Sequence, residues 1–307
     1  PYYENFDGPS WLAGEGYSNT DDRINNCWSR NPDNYHNYSW SVGEGSTPSS
    51  FTGPDSDVSG SGNYLFTHSS LGNRFDTATV MSPYLDLTYL TNPYLEFYFH
   101  RYGTNMTDLH VEYRVDSVTW GPLLHITVQP QLASSSPYSK IGVALPDTLG
   151  TTQVRFRTVS AGFGGADIAI DEFSVDEAPS CIMITNIDIS TISDTSATIS
   201  WGGTGTPQTY EVWFGRSGFY QGPSSTGGTK ISVSGTSLTL DTLQAFTDYQ
   251  FLVKAKCGAS DSSDYSLAYN FTTLCAPYTA PYFTDYDADV YAPLQIGMVP
   301  LCRPGPD

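Results

Sequence analysis

Tyr94-Leu95-Glu96-Phe97-Tyr98-Phe99, Leu109-His110-Val111-Glu112-Tyr113-Arg114-Val115 and Val154-Arg155-Phe156-Arg157-Thr158-Val159 alternate apolar with polar side chains. A period of two puts one face of each segment on a core and the other in water, the pattern of a half-buried strand. Around them, Thr91-Asn92-Pro93 and the run from Gly162 to Gly165 carry turn chemistry. Short strands at such intervals predict a sandwich or jelly roll. No segment carries a good amphipathic helix, and the abundance of Thr, Tyr and Val favours pleated surfaces. The expected class is all-β.

The 307 residues suit two or three modules, and 39% hydrophobic with 14% aromatic residues allows packed cores. Thirteen basic against 32 acidic residues leave a net charge of −19. That balance argues against nucleic acid or an anionic membrane as a partner, because phosphate binding needs clustered Lys and Arg. It fits a solvated surface, or carboxylates gathered around cations. No apolar run approaches the ~18 residues of a membrane helix, so no membrane insertion is expected. The five cysteines, at 27, 181, 257, 275 and 302, form no CxxC pair. Wide spacing between β-modules suits disulfides in an oxidising, extracellular compartment.

After Asp176-Glu177-Ala178-Pro179-Ser180 the strand pattern restarts, with Ala197-Thr198-Ile199-Ser200-Trp201, Tyr210-Glu211-Val212-Trp213-Phe214 and Tyr249-Gln250-Phe251-Leu252-Val253. A Trp on the second strand, and Leu243 six residues before Tyr249, resemble a fibronectin type III domain over residues 179–274. The resemblance implies an immunoglobulin-like sandwich whose Tyr249 hydroxyl bonds back to the backbone in a tyrosine corner. Cys181 is expected to pair with Cys257 inside this module. No RGD tripeptide supports an integrin ligand.

Residues 1–178 resemble a MAM domain, an extracellular jelly-roll β-sandwich. The resemblance rests on Glu4-Asn5-Phe6-Asp7, Cys27-Trp28, Trp40, Gly53-Pro54-Asp55-Ser56-Asp57, Gly60-Ser61-Gly62-Asn63-Tyr64-Leu65, Met81 to Leu87, Leu95 to Gly103 and Asp167-Ile168-Ala169-Ile170-Asp171-Glu172. A single cysteine in this stretch departs from the animal pattern and points to the bacterial branch. Pro281-Tyr282-Phe283-Thr284-Asp285-Tyr286-Asp287 then echoes Pro1-Tyr2-Tyr3-Glu4-Asn5-Phe6-Asp7. Residues 275–307 are therefore expected to open a second, truncated MAM-like module, with Cys302 in the place of Cys27 and paired to Cys275. By the same logic Cys27 has its partner upstream of Pro1. Alternating arrays of this kind resemble surface adhesins that gliding bacteria secrete through the type IX route.

Asp7, Asp55, Asp57 and Asp171 sit in the family-like blocks near strand ends or Gly-rich loops. Such loops supply the six to eight oxygens that calcium takes, and the resemblance implies a structural calcium ion, but Asp also caps turns by bonding its own backbone. Asp167 is read as a candidate partner for a nearby Arg. Among aromatics, Trp28, Trp40 and Trp201 are assigned to cores. Trp11, Tyr35, Tyr38 and Trp120 are read as exposed and available to stack on a glycan, with Tyr17 and Tyr138 beside them. Histidines 36, 68, 100, 110 and 125 show no metal spacing, and His100 reads as a core residue. No nucleophile elbow or phosphate loop occurs, and paired acids are too plentiful here to mark a glycosidase. The chain is expected not to be an enzyme.

These readings converge on an extracellular or cell-surface adhesion protein that binds other proteins or surface carbohydrate through repeated sandwiches, each weak contact reinforced by its neighbours. Two alternatives stay open at this point. One is a carbohydrate-targeting accessory of a secreted hydrolase; the other is a self-assembling fibre subunit that pairs through its C-terminal strand segment.

Overall fold

A computed structural model of the chain describes residues 1–14, 23–24, 27–31, 38–115, 119–146, 151–162, 164–202, 207–220, 222 and 225–276. Apart from the single 3-10 turn Ser69–Leu71, the regular structure among these residues is strand, and every strand pairing is antiparallel.

In the first module one sheet runs Ser139–Ala144, Pro93–Arg101, Ile168–Glu177, Asn63–Thr67, Trp40–Glu44, with Tyr2–Glu4 also paired to Ile168–Glu177. The other runs Ser29–Asn31, Thr77–Met81, Thr151–Val159, Leu109–Val115, Gly121–Ile126, with Leu85–Asp86 joining Thr151–Val159. The alternating segments turn their apolar positions into the space between the sheets. Leu95, Phe97 and Phe99 meet Val111, Val154 and Phe156 there, and the Phe97 and Phe156 rings cross edge-to-face at 4.9 Å. Trp28 and Trp40 are buried in the same core.

The second module stacks Ile187–Ser190, Ala197–Trp201, Ser237–Leu240 against Thr229–Val233, Thr209–Arg216, Asp248–Lys256, Tyr269–Thr272. Trp201, Val212, Phe251 and Val253 share its core. Leu243 is buried, and the Gln244 N–H donates to the Tyr249 hydroxyl at 2.9 Å, the tyrosine corner. Tyr249→Phe leaves that N–H without its acceptor and is expected to cost about 1 kcal/mol. Denaturant unfolding checks this, and an unchanged midpoint would remove the corner from the account.

The last strand of the first module ends at Glu177 and the first of the second begins at Ile187. Met183, between them, and Leu267, from the second module, are buried in the first module's core cluster. Lys140 Nζ reaches Asp264 across the junction at 3.2 Å. The modules therefore share packing. Residues 277–307, which carry the expected truncated repeat and Cys302, lie outside the described residues.

Candidate cation site

Three of the four expected aspartates are drawn to one end of the first module. Asp7 follows the short first strand, Asp57 opens the loop 57–62, and Asp171 lies in the strand Ile168–Glu177. That strand's register shifts between Asp171 and Ser174, and Glu172 takes a positive φ of 53° at the irregularity. A shift of this kind re-aims a side chain away from the regular pleat. Asp171 Oδ2 accepts the Val58 N–H at 3.0 Å, and its Oδ1 accepts the Glu172 N–H at 2.7 Å. Asp7 Oδ1 accepts the Asn63 N–H at 2.7 Å.

Gly62 is the pivot of this arrangement. A Cβ there would stand 2.3 Å from Asp7 Oδ1 and 2.7 Å from Asp57 Oδ2, so the two carboxylates approach each other across a backbone that has no side chain. Asp57 Oδ2 accepts the Ser59 hydroxyl at 2.7 Å, while its Oδ1 is buried with no hydrogen-bond partner among the described residues. Asp171 is itself buried, and burial pushes its carboxyl up to about 8; the charges of Glu172 and Asp57 add to the rise, and the two N–H bonds oppose it. An orphaned carboxylate oxygen and crowded acids are both relieved by a hard cation. The donor set fits calcium: oxygen only, three carboxylates, with loop carbonyls and water to complete the shell.

Asp55 does not join them. It is exposed, and what ties it is backbone, its N–H donating to the Ser134 carbonyl at 3.2 Å. Asp167 is also placed differently from expectation. Its Oδ1 accepts the Ser69 N–H at 2.8 Å and the Ser69 hydroxyl at 2.7 Å, and no Arg pairs with it among the described residues. Ser69 serves it better because the site is completely buried, where a neutral donor needs no desolvated guanidinium.

Two of the expected glycan-stacking aromatics are buried instead. Trp11 is 3% exposed and packs edge-to-face on Phe6 at 4.8 Å, beside Trp28. A turn closed by the Trp11 N–H on the Gly8 carbonyl tucks the indole inward. Tyr38 is 1% exposed, with its hydroxyl 3.3 Å from Thr158 Oγ1 inside the sandwich. Trp120 remains partly exposed, with the guanidinium of Arg114 at 4.6 Å and that of Arg155 at 4.3 Å from its ring centre. Tyr35 and Tyr17 lie outside the described residues, and Tyr138 is half-buried against Tyr64 and His100.

The structure also joins residues that spacing along the chain kept apart. His110 and His125 are cross-strand partners with rings stacked 4.4 Å apart, and His125 Nε2 lies 2.7 Å from Asp108 Oδ2. One ligand atom from each of the three falls within 4.8 Å of the others, so the trio could hold a transition metal. Arg157, opposite His110 in the register, opposes a cation there. Only the hairpin register could have revealed the pair.

Cys181 and Cys257 form a disulfide with Cα atoms 5.7 Å apart. Cys275 is disulfide-bonded, and Cys27 is an exposed thiol.

Two antiparallel sandwiches in tandem, one of them built on a tyrosine corner, define the chain as a pair of β-sandwich modules. The family model of the MAM domain, meprin/A5/mu, matches residues 21–181, and that of the fibronectin type III domain matches residues 178–272. The chain belongs to the MAM domain family, with a fibronectin type III domain following. Among solved structures it is similar to an FN3 domain of human collagen XX, with 18% identity over 33% of this chain and 99% of that one and a TM-score of 0.26. It is also similar to the chicken CNTN1 FN1-FN3 domains, with 15% identity over 66% and 64% and a TM-score of 0.27. A computer-redesigned beta sandwich protein shares 28% identity over 30% and 94%, with a TM-score of 0.25. Both matched families are extracellular-type, non-catalytic modules, and no helix among the described residues is long and apolar enough to cross a membrane.

Proposed function

We propose that the chain is part of an extracellular, non-catalytic surface adhesin, of the repeated-module kind found in gliding bacteria, whose first sandwich is braced by a structural calcium ion. The observation that carries the adhesive reading is the junction. Met183 and Leu267 pack into the first module's core, so two binding modules act as one stiff unit that can present several weak contacts at fixed spacing. Calcium, held by Asp7, Asp57 and Asp171, would tie the first strand and the loop 57–62 to the strand Ile168–Glu177. Its role is to neutralise acids and fix the loop.

Beads coated with the whole chain should be retained under flow on the producing cells or on their surface polysaccharide, and should release no sugar from it. Washing through without retention, or a steady release of product, would overturn the reading. Calcium is tested separately. Free calcium at a hundredfold its dissociation constant should stabilise the chain by about 2.7 kcal/mol over the chelated form. Gly62→Ala, whose methyl collides with Asp7 and Asp57, should abolish that difference. Coincident melting curves for the unsubstituted chain with calcium and with chelator would dismiss the ion.

A further inference from the structure

The chain contains four lysines, at 140, 230, 254 and 256, against 32 acidic residues, and all four line one cleft between the two modules. The cleft has a volume of about 1130 Å³. One wall is the segment 130–140 of the first module with Tyr98; the other is the outer face of the second module's larger sheet. The pairing there explains the convergence. Glu211 lies opposite Lys254, and Trp213 opposite Lys230, on the face that points away from the Val212 and Val253 core.

The charges do not cancel. Lys140 is satisfied by Glu96 at 2.9 Å and Asp264 at 3.2 Å. Lys230 and Lys256 share a single carboxylate, Glu211, at 3.7 and 3.9 Å, beyond hydrogen-bond distance. Lys254 has no carboxylate within ion-pair distance among the described residues; its ammonium rests over the Tyr265 ring at 4.4 Å. Three lysines thus face one carboxylate. Burial and the neighbouring Lys256 push Lys254 below the usual lysine range, a repulsion that a bound anion would relieve. Aromatic rings lie among the ammonium groups: Trp213 under Lys230 at 4.3 Å, with Tyr220 and Tyr265 each 5.4 Å from the indole. Ser135, Ser136 and Ser139 add hydroxyls to the walls.

We propose that this inter-module cleft binds a carboxylated polysaccharide, its uronate groups meeting Lys230, Lys254 and Lys256 and its sugar faces lying against the partly exposed rings of Tyr98, Tyr220 and Tyr265. Trp213 is only 3% exposed and supports Tyr220 and Tyr265 from beneath. The volume exceeds the usual small-ligand range of roughly 300–1,000 Å³ and accepts several sugar residues. Aromatic platforms and hydroxyls suit sugar rings better than an acidic peptide, whose backbone would need paired amide partners. Nucleic acid carries a charge about every 1.7 Å of duplex, far denser than three lysines can match. A uronate chain, with one charge per sugar, matches the sparse lysines.

The site shares no residue with the cation cluster, and its test can fail while the adhesive reading stands, since retention on whole cells can come from any contact of either module and needs no uronate. The whole chain is run through native gels containing polygalacturonate, dextran or poly-glutamate, with chelator present throughout so that calcium bridging plays no part. Polygalacturonate should retard it, increasingly so at low salt, and dextran and poly-glutamate should not. Lys254→Gln combined with Lys256→Gln should weaken the retardation roughly tenfold or more, with Lys254→Arg retaining most of it. Unchanged thermal melting of these surface variants shows that folding is not the cause. A sulfated glycan bound as tightly as the uronate would extend the ligand class to anionic sugars and support the site. Equal retardation by dextran or by poly-glutamate, or a double variant that binds as before, would overturn it.

Discussion

Lowering the pH from 6.5 to about 4 should cost the chain about 3 kcal/mol more than it costs a His100→Gln variant. His100 lies in the strand Pro93–Arg101, opposite Ala169, with no exposed surface. Burial pushes its imidazole down to about 4, and the carbonyls of Ala133, Ser134 and Ser136 pull the other way without prevailing. A base whose folded value is depressed stabilises the fold fully above its unfolded value and loses that contribution as the pH falls through the folded one. The unfolded chain takes up the proton first. Urea unfolding of both proteins across this window measures the difference in slope. Parallel curves would mean that His100 is solvated when folded, contrary to its burial. Asp171 works in the opposite direction, because a raised carboxyl gains stability on acidification, so the comparison must be between variants and not between pH values alone.

Removing the Cys181–Cys257 bridge by a double Ala substitution should cost the second module about 4 kcal/mol on chain-entropy grounds, since the bridge spans 76 residues of sequence. Cys181 is buried where the chain enters this module, and Cys257 follows the strand Asp248–Lys256 that carries Lys254 and Lys256. The loss should therefore loosen one wall of the lysine cleft as well as lower the melting midpoint. Calorimetry of the unsubstituted chain and the double variant makes the comparison, because reductant would also open the bridge at Cys275. A midpoint indifferent to the double substitution would show that the closed loop adds nothing to folding.

The strands were legible because alternation is a local property: Phe97, Val111 and Phe156 declare their inward face within a few residues. The tyrosine corner was legible for the same reason, through the short interval from Leu243 to Tyr249. Trp11 and Tyr38 were misread because they lie in irregular segments, where no period reports which way a ring points. Asp7, Asp57 and Asp171 could be suspected singly from Gly-rich loops. Their convergence depends on the first strand pairing with Ile168–Glu177, and the same topology leaves Asp55 outside. The lysine cleft left no trace in sequence, because residues 140, 230, 254 and 256 meet only when two separately folded sandwiches dock. Net charge alone pointed away from any basic site, since a chain-wide sum conceals where its few cations gather.

The pairing of Tyr2–Glu4 with the strand Ile168–Glu177 has a mechanical meaning. Tyr2 lies opposite Val175 and Glu4 opposite Phe173, in antiparallel register. Wherever tension reaches residue 1 and leaves through Glu177, it acts on neighbouring rungs of one ladder at the same end. Such a pull unzips hydrogen bonds one after another instead of shearing them together, and unzipping yields at much lower force. Asp7 and Asp171 stand just beyond the far end of that ladder. An ion shared between them would act as a rivet where the peeling must stop, so the first strand could give way and re-form under intermittent pulling while the sandwich behind it stays closed.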